Sequence, residues 1–235
     1  AAPVQSVNDL LKYAASVDVR QRGPIGAQTD ISIRGGNYEQ ITVLLNGINI
    51  CDPQTGHNAF DFPVDVSDIE RIEVLEGPAG RVFGTSSLLG AINIVTKHPA
   101  QNNISAHAEA GSYGYFNGGA NIGLVSGKWT NSISGNYTRS DGYNRNKAGR
   151  LNTDFEGAKA FYQGTYSDNN TRVSWHAGLS MRDFGSNTFY GTGSDDQFEH
   201  TFKSYTALQA ETRCGRLHLS PSVYWNRNMD RFEYF

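Results

Sequence analysis

From about residue 102 onward, apolar and polar side chains take turns along the chain with a period of two, the pattern of extended strands whose faces meet different surroundings. Ile104, Ala106, Ala108 and Ala110 alternate with Ser105, His107 and Glu109. Phe116, Ala120, Ile122 and Leu124 oppose Asn117 and Asn121, and Trp129, Ile133 and Tyr137 oppose Thr130, Ser132, Ser134, Asn136 and Thr138. A fourth segment sets Ala158, Ala160, Tyr162 and Tyr166 against Lys159, Gln163 and Thr165, with Phe161 breaking the rule. The fifth is the cleanest, with Val173, Trp175, Ala177, Leu179 and Met181 against Arg172, Ser174, His176 and Ser180. The sixth, Tyr205–Thr212, is ambiguous because Gln209 and Glu211 share a face with Tyr205 and Ala207. Leu217, Leu219, Val223 and Trp225 against His218, Ser220, Ser222 and Asn226 restore the pattern.

Alternation alone fits a soluble β-sandwich as well as a membrane wall, so the connections matter. Ser126–Lys128, Ser167–Asn170 and Arg213–Arg216 read as tight turns, whereas Asp141–Glu156 and Asp183–Thr201 read as long polar loops. The two kinds take turns, with Gly111–Tyr115 a short member of the long-loop side. Strands of about ten residues tilted by ~45° cross a hydrocarbon layer of about 25 Å, and membrane barrels carry short turns at one rim and long loops at the other. Tyr113, Tyr115, Tyr137, Tyr143, Phe184, Phe189 and Tyr190 gather near the long-loop side, where an interfacial aromatic girdle is expected. Seven such strands cannot close a barrel, and a bilayer tolerates no open sheet edge, so a membrane wall of this size is expected to be part of a larger one.

Residues 1–99 have a different texture, that of a mixed α+β domain. Ser6 with Asp9 reads as a helix start, and Val7, Leu10, Leu11 and Ala14 share a face over 7–15. Strands are expected at Val17–Gln21, Thr29–Arg34, Ile41–Leu45, Ile48–Ile50, Ile69–Leu75 and Ala91–Thr96, with Asn46-Gly47 as a hairpin turn.

Composition narrows the classes. Among 235 residues, 26 Gly, 12 Tyr and 12 Phe suit short strands joined by turns. The net charge of −3 offers no basic surplus for a phosphate backbone, so nucleic acid is not an expected partner. No run approaches the ~18 apolar residues of a membrane-spanning helix, while the mean hydropathy of −0.49 is compatible with a barrel wall, which is apolar only at alternate positions. The chain opens on Ala1-Ala2-Pro3 without a basic segment or apolar stretch of the secretory type, so it is read as mature or trimmed. Cys51 and Cys214 lie far apart, and a disulfide framework needs more than two such residues.

Three stretches of the leading region carry a specific resemblance. Thr29-Asp-Ile-Ser-Ile-Arg-Gly-Gly36, Ile41-Thr-Val-Leu-Leu-Asn-Gly-Ile-Asn49 and Val66–Lys97 resemble, in order and spacing, the plug of TonB-dependent outer-membrane receptors. Two departures are Glu76, where the family often has Arg before Gly-Pro, and Leu89, where Gly is common. The resemblance implies a plug domain over 1–99 and the start of a transmembrane antiparallel β-barrel over 100–235, about seven strands of the ~22 such transporters have. It also implies active import of a scarce nutrient, driven by a TonB energy-transducing protein that pulls on a box expected ahead of residue 1.

Within that frame the plug loops Gly35–Gln40 and Cys51–Phe62 are expected at the ligand-facing end, with Arg34, Asn37, Tyr38, Asp52, Gln54, His57, Asn58 and Phe60 close to a small polar ligand. Asp68, Glu70, Arg71, Glu73 and Arg81 are expected to form an ionic cluster, pairing with one another and with polar barrel residues, although a solvated charged face is the ordinary alternative. Cobalamin is the first expectation for the ligand, from Gly23–Gln28 and Asp52–His57; a ferric siderophore is second, and haem or an oligosaccharide fits the same family. No cofactor is required, but Asp195, Asp196 and Glu199 offer oxygen ligands of the type calcium takes. No nucleophile accompanies His57 and Asp52, so catalysis is not expected. The competing reading of another class is a soluble all-β binding or adhesin module, which stays in solution without detergent.

Overall fold

The computed structural model describes residues 4, 6–14, 17–21, 29–33, 35, 40–52, 61–77, 89–142, 152–187 and 197–233. The N-terminal unit starts with a helix α1 (Val7–Leu11) closed by a reciprocal cap: Asp9 N donates to Ser6 Oγ at 3.2 Å and Ser6 N donates to Asp9 Oδ2 at 3.1 Å. The helix is shorter than the expected 7–15 because the following amides of Lys12, Tyr13 and Ala14 bond three residues back, tightening the chain into turns. Strands β1 (Val17–Gln21) and β2 (Thr29–Ile33) form an antiparallel pair.

A second sheet has the order β4-β3-β6-β5, built from β3 (Ile41–Leu45), β4 (Ile48–Asn49), β5 (Ile69–Glu76) and β6 (Gly90–Thr96). Asn46 (φ 51°) and Gly47 (φ 79°) both take the left-handed conformation, which gives the two-residue β3–β4 turn the twist a hairpin needs. β3 runs parallel to β6 and all five of its residues are buried, as for a strand covered on both faces.

The remaining strands form one antiparallel meander: β7 (Asn103–Ala110), β8 (Phe116–Ser126), β9 (Trp129–Ser140), β10 (Phe155–Ser167), β11 (Thr171–Asn187), β12 (Gln197–Cys214), β13 (Leu217–Leu219) and β14 (Ser222–Glu233). β13 and β14 pair with β12 in one continuous register and are a single crossing, interrupted at Pro221, which has no amide hydrogen to give the ladder. The sheet is open, and its edges among the described residues are β7 and β13/β14.

Alternation sorts the two faces of this wall. Ile104, Ile122, Ile133, Tyr162 and Ala177 are cross-strand partners in one outward row, and the exposed apolar side chains on this face include Ile104 (79%), Trp175 (51%) and Leu179 (49%). Outward aromatics meet near the turn end, where the Trp129 and Tyr166 ring centroids are 5.1 Å apart and those of Tyr162 and Trp175 are 5.3 Å apart. Near the long-loop end Phe116 and Tyr137 pair at 6.4 Å.

Phe184 does not join that girdle. It shares parity with Ser180 and Arg182, so it turns inward and is buried against Phe155, with Tyr115 packed beside them. Tyr113 is exposed, while Tyr143, Phe189 and Tyr190 lie outside the described residues. The strands flanking the second long loop are longer than the pattern suggested: β11 runs to Asn187 and β12 starts at Gln197, so Glu199 is a strand residue on the inner face. These extensions lie within the stretch whose polar and glycine residues read as a long loop. The seven crossings form a single layer with the N-terminal unit on one face, and among the described residues the two-layer sandwich of the competing reading is not formed.

Candidate functional site

The N-terminal unit meets the wall along an inner row of cross-strand partners: Asn121 on β8, Ser134 on β9, Phe161 on β10, Gly178 on β11, Tyr205 on β12 and Asn226 on β14. Asp68, 4% exposed, accepts hydrogen bonds from Ser134 Oγ at 2.7 Å and Asn121 Nδ2 at 3.0 Å. Phe161, Tyr205 and neighbouring Ala207 are buried in the same apolar cluster as Val43, Ile92 and Ile94 of the inner sheet. Gly178 admits Pro63: a Cβ there would lie 3.0 Å from the proline ring and 2.7 Å from Tyr205. Asn226 Nδ2 donates to the Cys51 carbonyl at 3.3 Å. The residues that disturbed the sequence pattern, Phe161, Tyr205 and Ala207, are those whose inward faces contact apolar protein.

One step toward the long-loop end lies a charged seat. Lys159, Ser180 and Lys203 are register partners on β10, β11 and β12, and Arg182 stands two residues beyond Ser180 on the same face. The carboxylate of Asp61 settles on this row, accepting from Ser180 Oγ at 3.0 and 3.1 Å, with Arg182 Nη1 at 3.6 Å. Burial works against charge on Asp61, but Arg182, Lys159, Lys203 and the Ser180 hydroxyl outweigh it and hold the carboxyl below the usual carboxylate range.

Toward the turn end the β3–β4 hairpin is tied to the wall by a polar chain. Asn46 Nδ2 donates to Thr96 Oγ1 at 2.9 Å, and the Thr96 hydroxyl donates to Gln163 Oε1. Gln163 Nε2 lies 2.7 Å from His98 Nδ1, Arg172 Nη2 lies 2.9 Å from His98 Nε2, and Gln209 Nε2 donates to the Asn46 carbonyl at 3.1 Å. An open cleft of about 290 Å³ beside this chain is lined by Asn46, Asn93, His98, Arg172, His176 and Gln209.

Of the residues singled out in the sequence, Asp68 makes direct hydrogen bonds to the wall. Glu70, Arg71 and Glu73 pair with one another, with Arg71 2.8 Å from each carboxylate, and Glu73 also accepts from Asn93 Nδ2 at 2.9 Å. The Asn93 hydrogen bond, opposed by slight burial and aided by Arg71, holds Glu73 below the ordinary glutamate range. Asp52 is half-buried just beyond Cys51, whose thiol burial pushes to a higher pKa. Arg34, Asn37, Tyr38, Gln54, His57, Asn58, Phe60, Arg81, Asp195 and Asp196 lie outside the described residues. Sequence reading missed Asp61, Arg182 and Lys203. The available signal was a lysine or arginine on the inner face of three neighbouring strands.

Comparison with known proteins agrees with this geometry. Residues 1–91 match the model of the TonB-dependent Receptor Plug Domain. A vitamin B12 transporter, BtuB of Vibrio vulnificus (strain CMCP6), is 26% identical over 199 residues, covering 79% of this chain and 32% of the relative. The chain thus spans about a third of the length of that relative. Among solved structures, the ferric yersiniabactin uptake receptor FyuA from Yersinia pestis superposes with a TM-score of 0.74 at 18% identity, covering 97% of this chain and 39% of that one. The FrpB iron transporter from Neisseria meningitidis gives 0.76 at 14% identity, with 97% and 39% covered. At these identities the solved structures establish the fold: an N-terminal plug followed by antiparallel wall strands.

Proposed function

Because this chain is a TonB-dependent receptor, carrying its plug domain and leading barrel strands, we propose that the complete receptor sits in a bacterial outer membrane and imports a scarce nutrient, with cobalamin the first candidate. The family consists of receptors and transporters, and an import role asks for capture and passage, without bond-breaking chemistry. The observation that carries the reading is the seating of the N-terminal unit on a polar inner face, through two buried carboxylates, Asp61 and Asp68, and a ring of amide and hydroxyl donors. Contacts of this type to a wet wall are exchangeable for water, so a stopper held by them can be shifted without dissolving the wall.

In this reading Arg34, Asn37, Tyr38, Asp52, Gln54, His57, Asn58 and Phe60 crown the plug and meet the ligand. A TonB protein then draws on the plug from the other side of the membrane, and the outward apolar face of the wall meets outer-membrane lipid. The 26% identity to a vitamin B12 transporter supports cobalamin ahead of ferric siderophores, haem or oligosaccharides. The test is uptake of radiolabelled cobalamin by cells lacking their own cobalamin receptor and expressing the complete protein, with and without TonB. Uptake that requires TonB is expected. No binding at micromolar cobalamin removes that ligand and turns the test to ferric siderophores. Uptake that is indifferent to TonB contradicts the coupled mechanism.

A further inference from the structure

The charged seat on β10–β12 has the composition of an anion receptor whose anion belongs to a different part of the chain. The groups that contact Asp61 come from the wall, the Ser180 hydroxyl and the Arg182 guanidinium, with Lys159 and Lys203 in register on either side of Ser180. The acceptor, Asp61, comes from the plug and is itself buried, at 4% exposure. The two oxygens of Asp61 both engage Ser180, so the carboxylate lies centrally on the row. When the plug segment that carries Asp61 moves, its carboxylate leaves and the basic side chains stay, because they are fixed to strands of the wall.

A row that gathers a guanidinium and two lysines around a hydroxyl favours an anion, so withdrawal of Asp61 favours entry of another of similar shape. Guanidinium and hydroxyl donors on a rigid surface select flat or tetrahedral oxyanions over a simple halide, through directed hydrogen bonds as well as charge. We propose that Ser180, Arg182, Lys159 and Lys203 form an oxyanion site in the barrel wall, occupied by Asp61 at rest and by a carboxylate or phosphate of the passing ligand once the plug shifts. This rests on the import reading and adds to it the ligand's chemical class. Cobalamin, through its phosphodiester, and carboxylate siderophores both meet the requirement.

The site is tested by vacating it. The complete receptor, purified in detergent, is compared with its Asp61→Asn variant by thermal unfolding of the plug in millimolar citrate, inorganic phosphate, or chloride at matched ionic strength. The variant is expected to melt several degrees below the parent, and citrate or phosphate should return at least half of the loss while chloride does not. The parent, whose site is filled, should respond to none of them. The same anions should lose their effect when Lys159→Gln and Lys203→Gln are added to Asp61→Asn. If Asp61→Asn gives no folded receptor, Asp61→Ser is extracted with and without citrate, and a higher folded yield with citrate carries the same meaning. Rescue by citrate alone narrows the site to carboxylates, and rescue by both anions identifies a general oxyanion site. Equal rescue by chloride, rescue that survives loss of both lysines, or no rescue in either variant overturns the proposal. These readouts involve no transport, so an import failure and a failure of the oxyanion site are seen separately.

Discussion

The two faces of the wall come from the same strands but follow different rules. Facing outward, Ile133, Tyr162, Trp175 and Leu179 meet one uniform surrounding, and strict alternation suffices to describe them. Facing inward, Ser134, Phe161, Gly178, Tyr205 and Asn226 each meet a particular feature of the plug, and the side chain changes from one strand to the next accordingly. A uniform solvent yields a periodic pattern, whereas a structured partner yields a local one. The departures from alternation at Phe161, Tyr205 and Ala207 therefore mark contact with the plug.

Neighbouring residues on β10 sharpen this comparison most. Phe161 and Tyr162 are adjacent aromatics on opposite faces, the first buried in the plug core and the second packed edge-to-face with Trp175 on the outside. Phe161→Ala should weaken seating of the plug by about 3–5 kcal/mol, the range for removing a buried phenylalanine. It is read from the urea concentration at which protease begins to nick the plug in the complete receptor. Tyr162→Ala should leave that concentration nearly unchanged, and equal effects at the two sites would erase the distinction between the faces.

The charged seat comes next. Asp61→Asn should cost about 3 kcal/mol of plug seating, since it removes the charged member of a buried, hydrogen-bonded pair. The pH dependence has a definite sign. Asp61 is held below its unfolded pKa, so its contribution is complete above the ordinary carboxylate value and is lost as pH falls through the depressed one. The groups facing it are Lys159, Arg182 and Lys203, with Asp52 and Cys51 near Lys203. Plug release followed against pH should thus rise on the acid side in the parent and flatten in Asp61→Asn. An acid limb of unchanged size in the variant would assign it to another carboxylate.

Smaller effects follow. Asp68→Ala removes two wall contacts made by a charged acceptor, and a loss of about 2 kcal/mol in seating is expected from the range for such bonds. Arg71→Ala, by contrast, breaks only exposed pairs within the plug and should leave seating unchanged within error. A larger effect for Arg71 than for Asp68 would mean that the ionic cluster, and not the single buried carboxylate, anchors that side.

Much of the architecture was legible from sequence because β7–β11 keep a constant environment on their outward face over their central residues. β12 was harder: the plug buries Tyr205 and Ala207 on the face that elsewhere is polar, so the two faces look alike. The strand ends near Asn187 and Gln197 run into a long polar stretch that reads as loop, and Phe184, close to that loop, has the inward parity of Ser180 and Arg182. The plug strands were marked by the hairpin turn and by continuous apolar runs. The seat of Asp61 could not be read in one dimension, since positions 61, 159, 180, 182 and 203 meet only through strand register.

The claim beneath all of this is that one face of the wall meets lipid while the other meets the plug. In the complete receptor, with Cys51 and Cys214 replaced by Ser, single nitroxide labels at Ile133, Ser134, Leu179 and Ser180 can be examined in bilayers for collision with oxygen and with a water-soluble nickel chelate. Labels at Ile133 and Leu179 are predicted to be open to oxygen and shielded from nickel, with labels at Ser134 and Ser180 screened from oxygen by the plug. Nickel reaching Ile133 and Leu179 as freely as an exposed loop, or no difference between the adjacent pairs, would contradict it.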